Sequence, residues 1–147
     1  MEIKADSPQF IPMYKTKGSA CCDLVANIPQ NENGERLVRL NPRQIETIDA
    51  GFSMALPDGW EAQIRPRSGL AQKGIQVTNS PGTIDSDFVG RIQVVLNNAG
   101  KEIVVIKNGD RFAQMALKPV WHFQWNMVGE LKITERGENG FGSTGST

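Results

Sequence analysis

Short runs of alternating apolar and polar residues, each stopped by Gly, Pro or Asn, constrain this chain more than any other feature. Trp60 to Arg65 (WEAQIR), Arg91 to Asn97 (RIQVVLN), Glu102 to Ile106 (EIVVI) and Arg111 to Leu117 (RFAQMAL) carry the two-residue period of strands. Between such runs lie Pro57-Asp58-Gly59, Asn98-Ala99-Gly100 and Lys107-Asn108-Gly109-Asp110. In these turns Pro presets one dihedral and Gly accepts positive φ. A single helical turn fits at Ser68 to Lys73. Strands recurring about every ten residues predict an all-β sandwich, jelly roll or barrel rather than a βαβ fold.

The remaining elements follow the same logic. Cys21 to Ile28, Leu37 to Leu40, Gln44 to Ile48 and Gly51 to Leu56 read as strands, and Pro8 and Pro12 leave residues 1–16 irregular. Ile75 to Thr78 leads into Asn79 to Ile92 (NSPGTIDSDFVGRI), which reads as a β-hairpin turning on Asp85-Ser86-Asp87. In Val120 to Val128, Trp121, Phe123, Trp125 and Met127 share one face. That pattern predicts a heavy core strand or an intersubunit face. His122 falls on the polar side and reads as a surface histidine. With 147 residues and no linker or repeat, the chain suits one domain.

Composition excludes several classes of function. Lys and Arg total 16, as do Asp and Glu, so no global field favours nucleic acid or an anionic membrane. No apolar run approaches a membrane span. The N-terminus, MEIKADSPQF, lacks the basic and apolar regions of a signal peptide, so a cytoplasmic protein is expected, in the host cytoplasm if the source is viral. The adjacent Cys21 and Cys22 read as reduced thiols on a strand, one facing in and one out, with an intersubunit disulfide as the alternative. They have no second pair or His at zinc-ligand spacing.

Three stretches carry chemistry. Carboxylates at a turn between apolar arms, as at Asp85, are rarely buried unless they are paired or working. Pro66-Arg67-Ser68-Gly69 combines a charged fork, a hydroxyl and a glycine that lets backbone N–H groups approach a phosphate. Arg136 to Gly145 (RGENGFGSTG) repeats that composition and adds Phe141, a stacking surface for a flat base. It is not a P-loop, since the Gly-Lys-Ser/Thr ending and the following helix are absent.

Taken together these stretches resemble the homotrimeric dUTP diphosphatase (dUTPase) family. Its ordered motifs are matched in order by GSACCDL (Gly18 to Leu24), PRSGLA (Pro66 to Ala71), GTIDSDFVGRI (Gly82 to Ile92), GDRFAQM (Gly109 to Met115) and RGENGFGSTG. The resemblance implies a jelly-roll β-barrel over residues 1–135 and a flexible C-terminal arm, 136–147, that closes the active site of another subunit. It implies hydrolysis of dUTP to dUMP and pyrophosphate, limiting uracil incorporation into DNA and supplying dUMP for thymidylate synthesis. Asp85 would activate the attacking water and Gln114 would hold it. Arg67, Ser68 and Gly69 would contact the phosphates. Mg²⁺ would bridge the phosphates, with Asp23 reaching it through water.

The resemblance also assigns the base and sugar contacts. Asn79, Thr83, Ile84 and Gln93 would read uracil, and Phe88 would stack on the sugar and exclude a 2′-hydroxyl. From the arm, Phe141 would stack on the base, and Arg136, Gly142, Ser143 and Thr144 would bind the γ-phosphate. Neither direct nucleic-acid binding nor a membrane partner is expected. The chain departs from the family pattern at Cys21-Cys22, at Phe88 where Tyr is usual, and at Asn139 where glycine is usual. Asp110 and Arg111 read as a salt bridge or turn anchor, and Asp87 as a stabiliser of its turn. Two rival readings are a deoxycytidine triphosphate deaminase, which shares the fold, and a catalytically idle dUTP-binding module. The Asp85 turn and the Phe-Gly-Ser-Thr arm argue against the first, and the intact Asp85 and Gln114 against the second.

Overall fold

The structure, a computed structural model, describes residues 1–138. Ten strands order them: β1 (Glu2–Ala5), β2 (Cys22–Val25), β3 (Leu37–Leu40), β4 (Ile45–Ala55), β5 (Trp60–Arg65), β6 (Ile75–Val77), β7 (Gly82–Ile84), β8 (Arg91–Asn98), β9 (Val104–Lys107) and β10 (Arg111–Pro119). One α-helical turn, α1 (Ser68–Ala71), and a 3-10 turn at Pro8–Phe10 join them. The strands form two four-stranded sheets, β1-β4-β8-β6 and β2-β10-β5-β7, and a small third sheet, β3-β9. Every pairing is antiparallel. Period-two alternation places one face of each strand inside. A single core results, with Leu24 and Met115 from one sheet, Ile48, Phe52 and Val94 from the other, and Leu40 and Ile106 from the third. This is the expected all-β, jelly-roll-type architecture. No helix among the described residues is long and apolar enough to cross a membrane.

Four local expectations are corrected. Gln44 to Ile48 and Gly51 to Leu56 do not form separate strands; they belong to one eleven-residue strand, β4. The continuity depends on a bulge, because positions 49 to 53 of β4 face only positions 93 to 91 of β8. Gly51 takes φ +80 there, with the Phe10 ring against its bare backbone. The start of the chain is not wholly irregular either, since Glu2–Ala5 pairs with the outer edge of β4.

Asn79 to Ile92 is not a hairpin. β7 pairs with β5 in one sheet, whereas β8 pairs with β4 and β6 in the other. The stretch is a crossover between sheets, so the Asp85 loop hangs between two rigid walls. Lastly, Val120 to Val128 forms no strand. The pairing of β10 with β5 ends at Pro119↔Trp60, followed by one more bond from Val120 N–H to the Gly59 carbonyl. Beyond it no neighbouring strand pairs with the segment among the described residues. Trp121 is 80% exposed and Trp125 93%, which overturns the core-strand reading for this segment.

Candidate active site

The centre of the β2-β10-β5-β7 sheet builds the main cleft. PRSG ends β5 and enters α1, so Arg67 stands at the N-cap and Ser68 and Gly69 in the turn itself. Gln114 on β10 donates from Nε2 to the Pro66 carbonyl at 2.8 Å, tying that loop to the neighbouring strand. Asp23 on β2 sits opposite Gln114. Its carboxylate bridges two guanidinium groups: Arg67 Nε reaches Oδ1 at 2.9 Å and Arg111 Nη1 reaches Oδ2 at 2.9 Å. Arg67 Nη1 also donates to the Arg111 carbonyl at 2.9 Å. The Asp23 side chain is only 13% exposed, so these charge-assisted bonds lie partly out of water, where they are strongest.

Asp23, Arg67, Ser68, Gly69 and Gln114 thus line one cleft of about 570 Å³, together with Lys73, Asp110, Arg111 and Phe112. Three cations face two carboxylates, an environment suited to a polyanion. The sequence assigned no cleft role to Lys73, Arg111 or Phe112. Arg111 pairs with Asp23 rather than with its neighbour Asp110. Asp110 anchors the preceding turn by accepting the Lys107 N–H at 2.8 Å.

A second, narrower recess of about 50 Å³ lies between the sheets. Asn79, Gly82, Thr83, Ile84 and Gln93 line it, from β7, β8 and the turn before β7, where the Ser80–Pro81 bond is cis. All four residues expected to read a base therefore converge. Asp85 is elsewhere. It faces a third hollow with Ser86, Asp87, Trp60, Glu61 and His122. Phe88 N–H donates to the Asp85 carbonyl at 3.2 Å and closes the turn. The Asp87 carboxylate makes no hydrogen bond among the described residues, so backbone rather than Asp87 stabilises this turn. Phe88 is 43% exposed.

Within one chain Asp85 and Gln114 do not meet. Gln114 lies opposite Arg65 and Ile84 opposite Ala62, with β5 between them. Two strand spacings across and three residues along put Ile84 about 14 Å from Gln114 at the backbone. Asp85 lies one residue beyond Ile84. Arg136 is exposed in the stretch after β10. Phe141, Gly142, Ser143 and Thr144, like Asn139, lie outside the described residues.

The thiols divide as expected. Cys22 is buried and Cys21 half-buried, and both are free. Cys22 donates to the Met115 carbonyl at 3.4 Å, and burial pushes its thiol up from the ordinary value. No group of three or more His, Cys, Asp or Glu among the described residues could hold a metal ion. Asp23 uses two of roughly four lone-pair sites on the arginines. The remainder suits contact with a cation through water better than direct ligation.

The dUTPase family model matches residues 8–145. The chain belongs to the dUTPase family. The deoxyuridine 5'-triphosphate nucleotidohydrolase of Ehrlichia canis (strain Jake) is 48% identical over 97% of this chain and 92% of its own length. That of Anaplasma marginale (strain St. Maries) is 49% identical over 92% and 89%. Among solved structures, a mutant dUTPase of Staphylococcus bacteriophage 80alpha with dUpNHpp superposes with TM-score 0.82 at 22% identity, covering 98% of this chain and 97% of that one. A mutant dUTPase from phage phi11 of S. aureus, described for its coordination of a structural Mg(II) ion, superposes with TM-score 0.74 at 19% identity, over 90% and 98%. The dUTPase fold and the dUTPase motifs thus coincide along the same chain.

Proposed function

We propose that this protein is a dUTP diphosphatase whose active site is shared between copies of the chain. The observation that carries the proposal is that the expected site residues fall into separate groups on the surface of one chain. One chain offers a cationic cleft holding Asp23, Arg67, Ser68, Gly69 and Gln114. It offers the base recess and the Asp85 turn at another place on its surface. A homotrimer, typical of the family, brings the Asp85 half of one copy against the cleft of the next.

In that arrangement the triphosphate lies in the cleft, held by Arg67 and by the hydroxyl and backbone of Ser68 and Gly69. Uracil enters the recess, where Thr83, Ile84, Gln93 and Asn79 present donors and acceptors. Cytosine reverses that pattern and leaves buried polar groups unpaired, which costs about 1–3 kcal/mol for each. Thymine is excluded by the narrowness of the recess. Phe88 stacks on the deoxyribose and leaves no room for a 2′-hydroxyl.

Asp85 of one copy and Gln114 of the next align a water with the α-phosphorus. Asp85 takes a proton from that water as its oxygen bonds to phosphorus. The bond from the α-phosphorus to the bridging oxygen breaks, and pyrophosphate leaves with dUMP as the other product. Arg67 stands beside the developing charge. Asp23 would hold Mg²⁺ through water, and the ion would supply charge neutralisation on the phosphates. The arm, 136–147, closes over the site of another copy; Phe141 covers the base and Arg136, Gly142, Ser143 and Thr144 bind the γ-phosphate. Closure excludes bulk water. The activity keeps uracil out of DNA and supplies dUMP, in the cytoplasm.

A substrate panel with Mg²⁺ tests the reading. Pyrophosphate is released from dUTP, while dTTP, dCTP and UTP are almost untouched. Asp85→Asn lowers kcat by about 10²–10⁴-fold with dUTP still bound. Equal hydrolysis of dCTP, or full turnover by Asp85→Asn, contradicts it.

A further inference from the structure

Phe88 does not stand free at the end of its turn. Its ring lies across Gly90, two residues on. A methyl group at Gly90 would sit 2.7 Å from Phe88 Cζ and 3.0 Å from Cε2. Ordinary carbon contacts lie near 3.5–4.0 Å, so any side chain there displaces the ring by about 1 Å. The next residue, Arg91, makes the densest set of side-chain bonds outside the cleft. Its Nη1 and Nη2 donate to the two Asp6 carboxylate oxygens at 2.6 and 2.7 Å. Its Nε and Nη2 donate to the two Asp49 oxygens at 3.0 and 2.8 Å.

Both acids are themselves fixed. Asp6 accepts from Asn27 Nδ2 at 2.9 Å, and its own N–H donates to the Gly51 carbonyl at 2.9 Å. Asp49 accepts the Gly51 N–H at the β4 bulge, and its carbonyl accepts the Asn27 N–H at 2.8 Å. The guanidinium therefore ties the start of β8 to the end of β1 and to the middle of β4.

We infer that Gly90 and Arg91 set the sugar selectivity of this enzyme: Gly90 is the bare seat of the Phe88 ring, and Arg91 pins that seat to Asp6 and Asp49. Both are positioning residues acting through Phe88, so the inference rests on the assignment of Phe88 to the sugar. A loop closed by one backbone bond between Asp85 and Phe88 has little else to hold an exposed aromatic in register. Displacing the ring opens the space beside the 2′-carbon. It leaves the cleft, the base recess and Asp85 in place. The consequence is a loss of discrimination rather than a uniform loss of rate.

The test compares Gly90→Ala, Arg91→Met and Phe88→Ala in the full chain, reading kcat/KM for dUTP and for UTP beside the melting transition. Gly90→Ala and Arg91→Met each lower the dUTP-to-UTP ratio about tenfold or more, mainly by raising UTP turnover. Melting remains cooperative. Arg91→Met decides the matter if Gly90→Ala does not fold, since the Arg91 clamp lies at the surface. Phe88→Ala separates the two readings. If it keeps wild-type discrimination, the assignment of Phe88 to the sugar is wrong. If it loses discrimination while Gly90→Ala or Arg91→Met keeps it, the seat and its pin are wrong and the role of Phe88 stands.

Discussion

Asp6 and Asn98 show how single polar side chains organise this molecule in opposite settings. Asp6 is exposed, and its carboxyl is held below its ordinary value, first by the hydrogen bond from Arg91. A carboxylate with a depressed folded value contributes stability that is complete above the unfolded value, 3.8, and is lost as pH falls through the folded one. Melting temperatures of the wild type and Asp6→Asn therefore converge across the window in which pH falls from 3.8 through the lower folded value, with the wild type ahead at the upper end. A gap constant over that window contradicts the ion pair. Asn98 is fully buried on β8. Its Nδ2 donates to the Leu40 and Glu102 carbonyls at 2.8 Å each, and its Oδ1 accepts the Gly100 N–H at 2.9 Å. Asn98→Ala removes three hydrogen bonds to backbone groups, and urea unfolding will show a loss of about 2–4 kcal/mol with an unchanged m-value.

At the scale of elements, β4 carries a feature that depends on glycine. Its bulge gives Gly51 positive φ and lets the Phe10 ring cover the β4 backbone. Gly51→Ala forces a side chain into left-handed backbone and into Phe10, at a cost of about 3 kcal/mol measurable by thermal unfolding. What the sequence disclosed about elements divides along physical lines. β5 and β8 are legible because each alternates over a buried face, and β10 is legible despite an irregularity at Arg111–Ala113 that buries neighbouring residues. β4 read as two strands because a bulge interrupts that period and Gly imitates a turn. Val120 to Val128 alternates too, yet periodicity records only a capacity to pair, and no partner strand reaches it among the described residues. The hairpin reading of Asn79 to Ile92 failed for a related reason. Turn chemistry at Asp85 was read correctly, but nothing local says that its two arms enter different sheets.

For the whole molecule, the site was legible to the extent that its residue types are unusual where they stand. Arg67-Ser68-Gly69, Asp23 and Gln114 were identified from their motifs and do line one cleft. The four residues expected to read the base do line one recess. Arg91 was not identified, because Asp6 lies 85 residues away and only the fold brings them together. Arg111 reads as scaffold in the sequence because its partner, Asp23, is likewise remote. The separation of Asp85 from Gln114 is the feature with the widest consequence, because under the proposed mechanism it calls for a second copy of the chain. Mixing two inactive variants tests this directly. Asp85→Asn damages one half-site and Gln114→Ala the other, so neither variant alone turns over dUTP appreciably. Unfolded together and refolded as mixed trimers, they recover about one quarter of wild-type activity at equal input, since three-quarters of random trimers contain one intact shared site of three. Activity of the mixture no higher than the sum of the separate variants would contradict a site shared between copies.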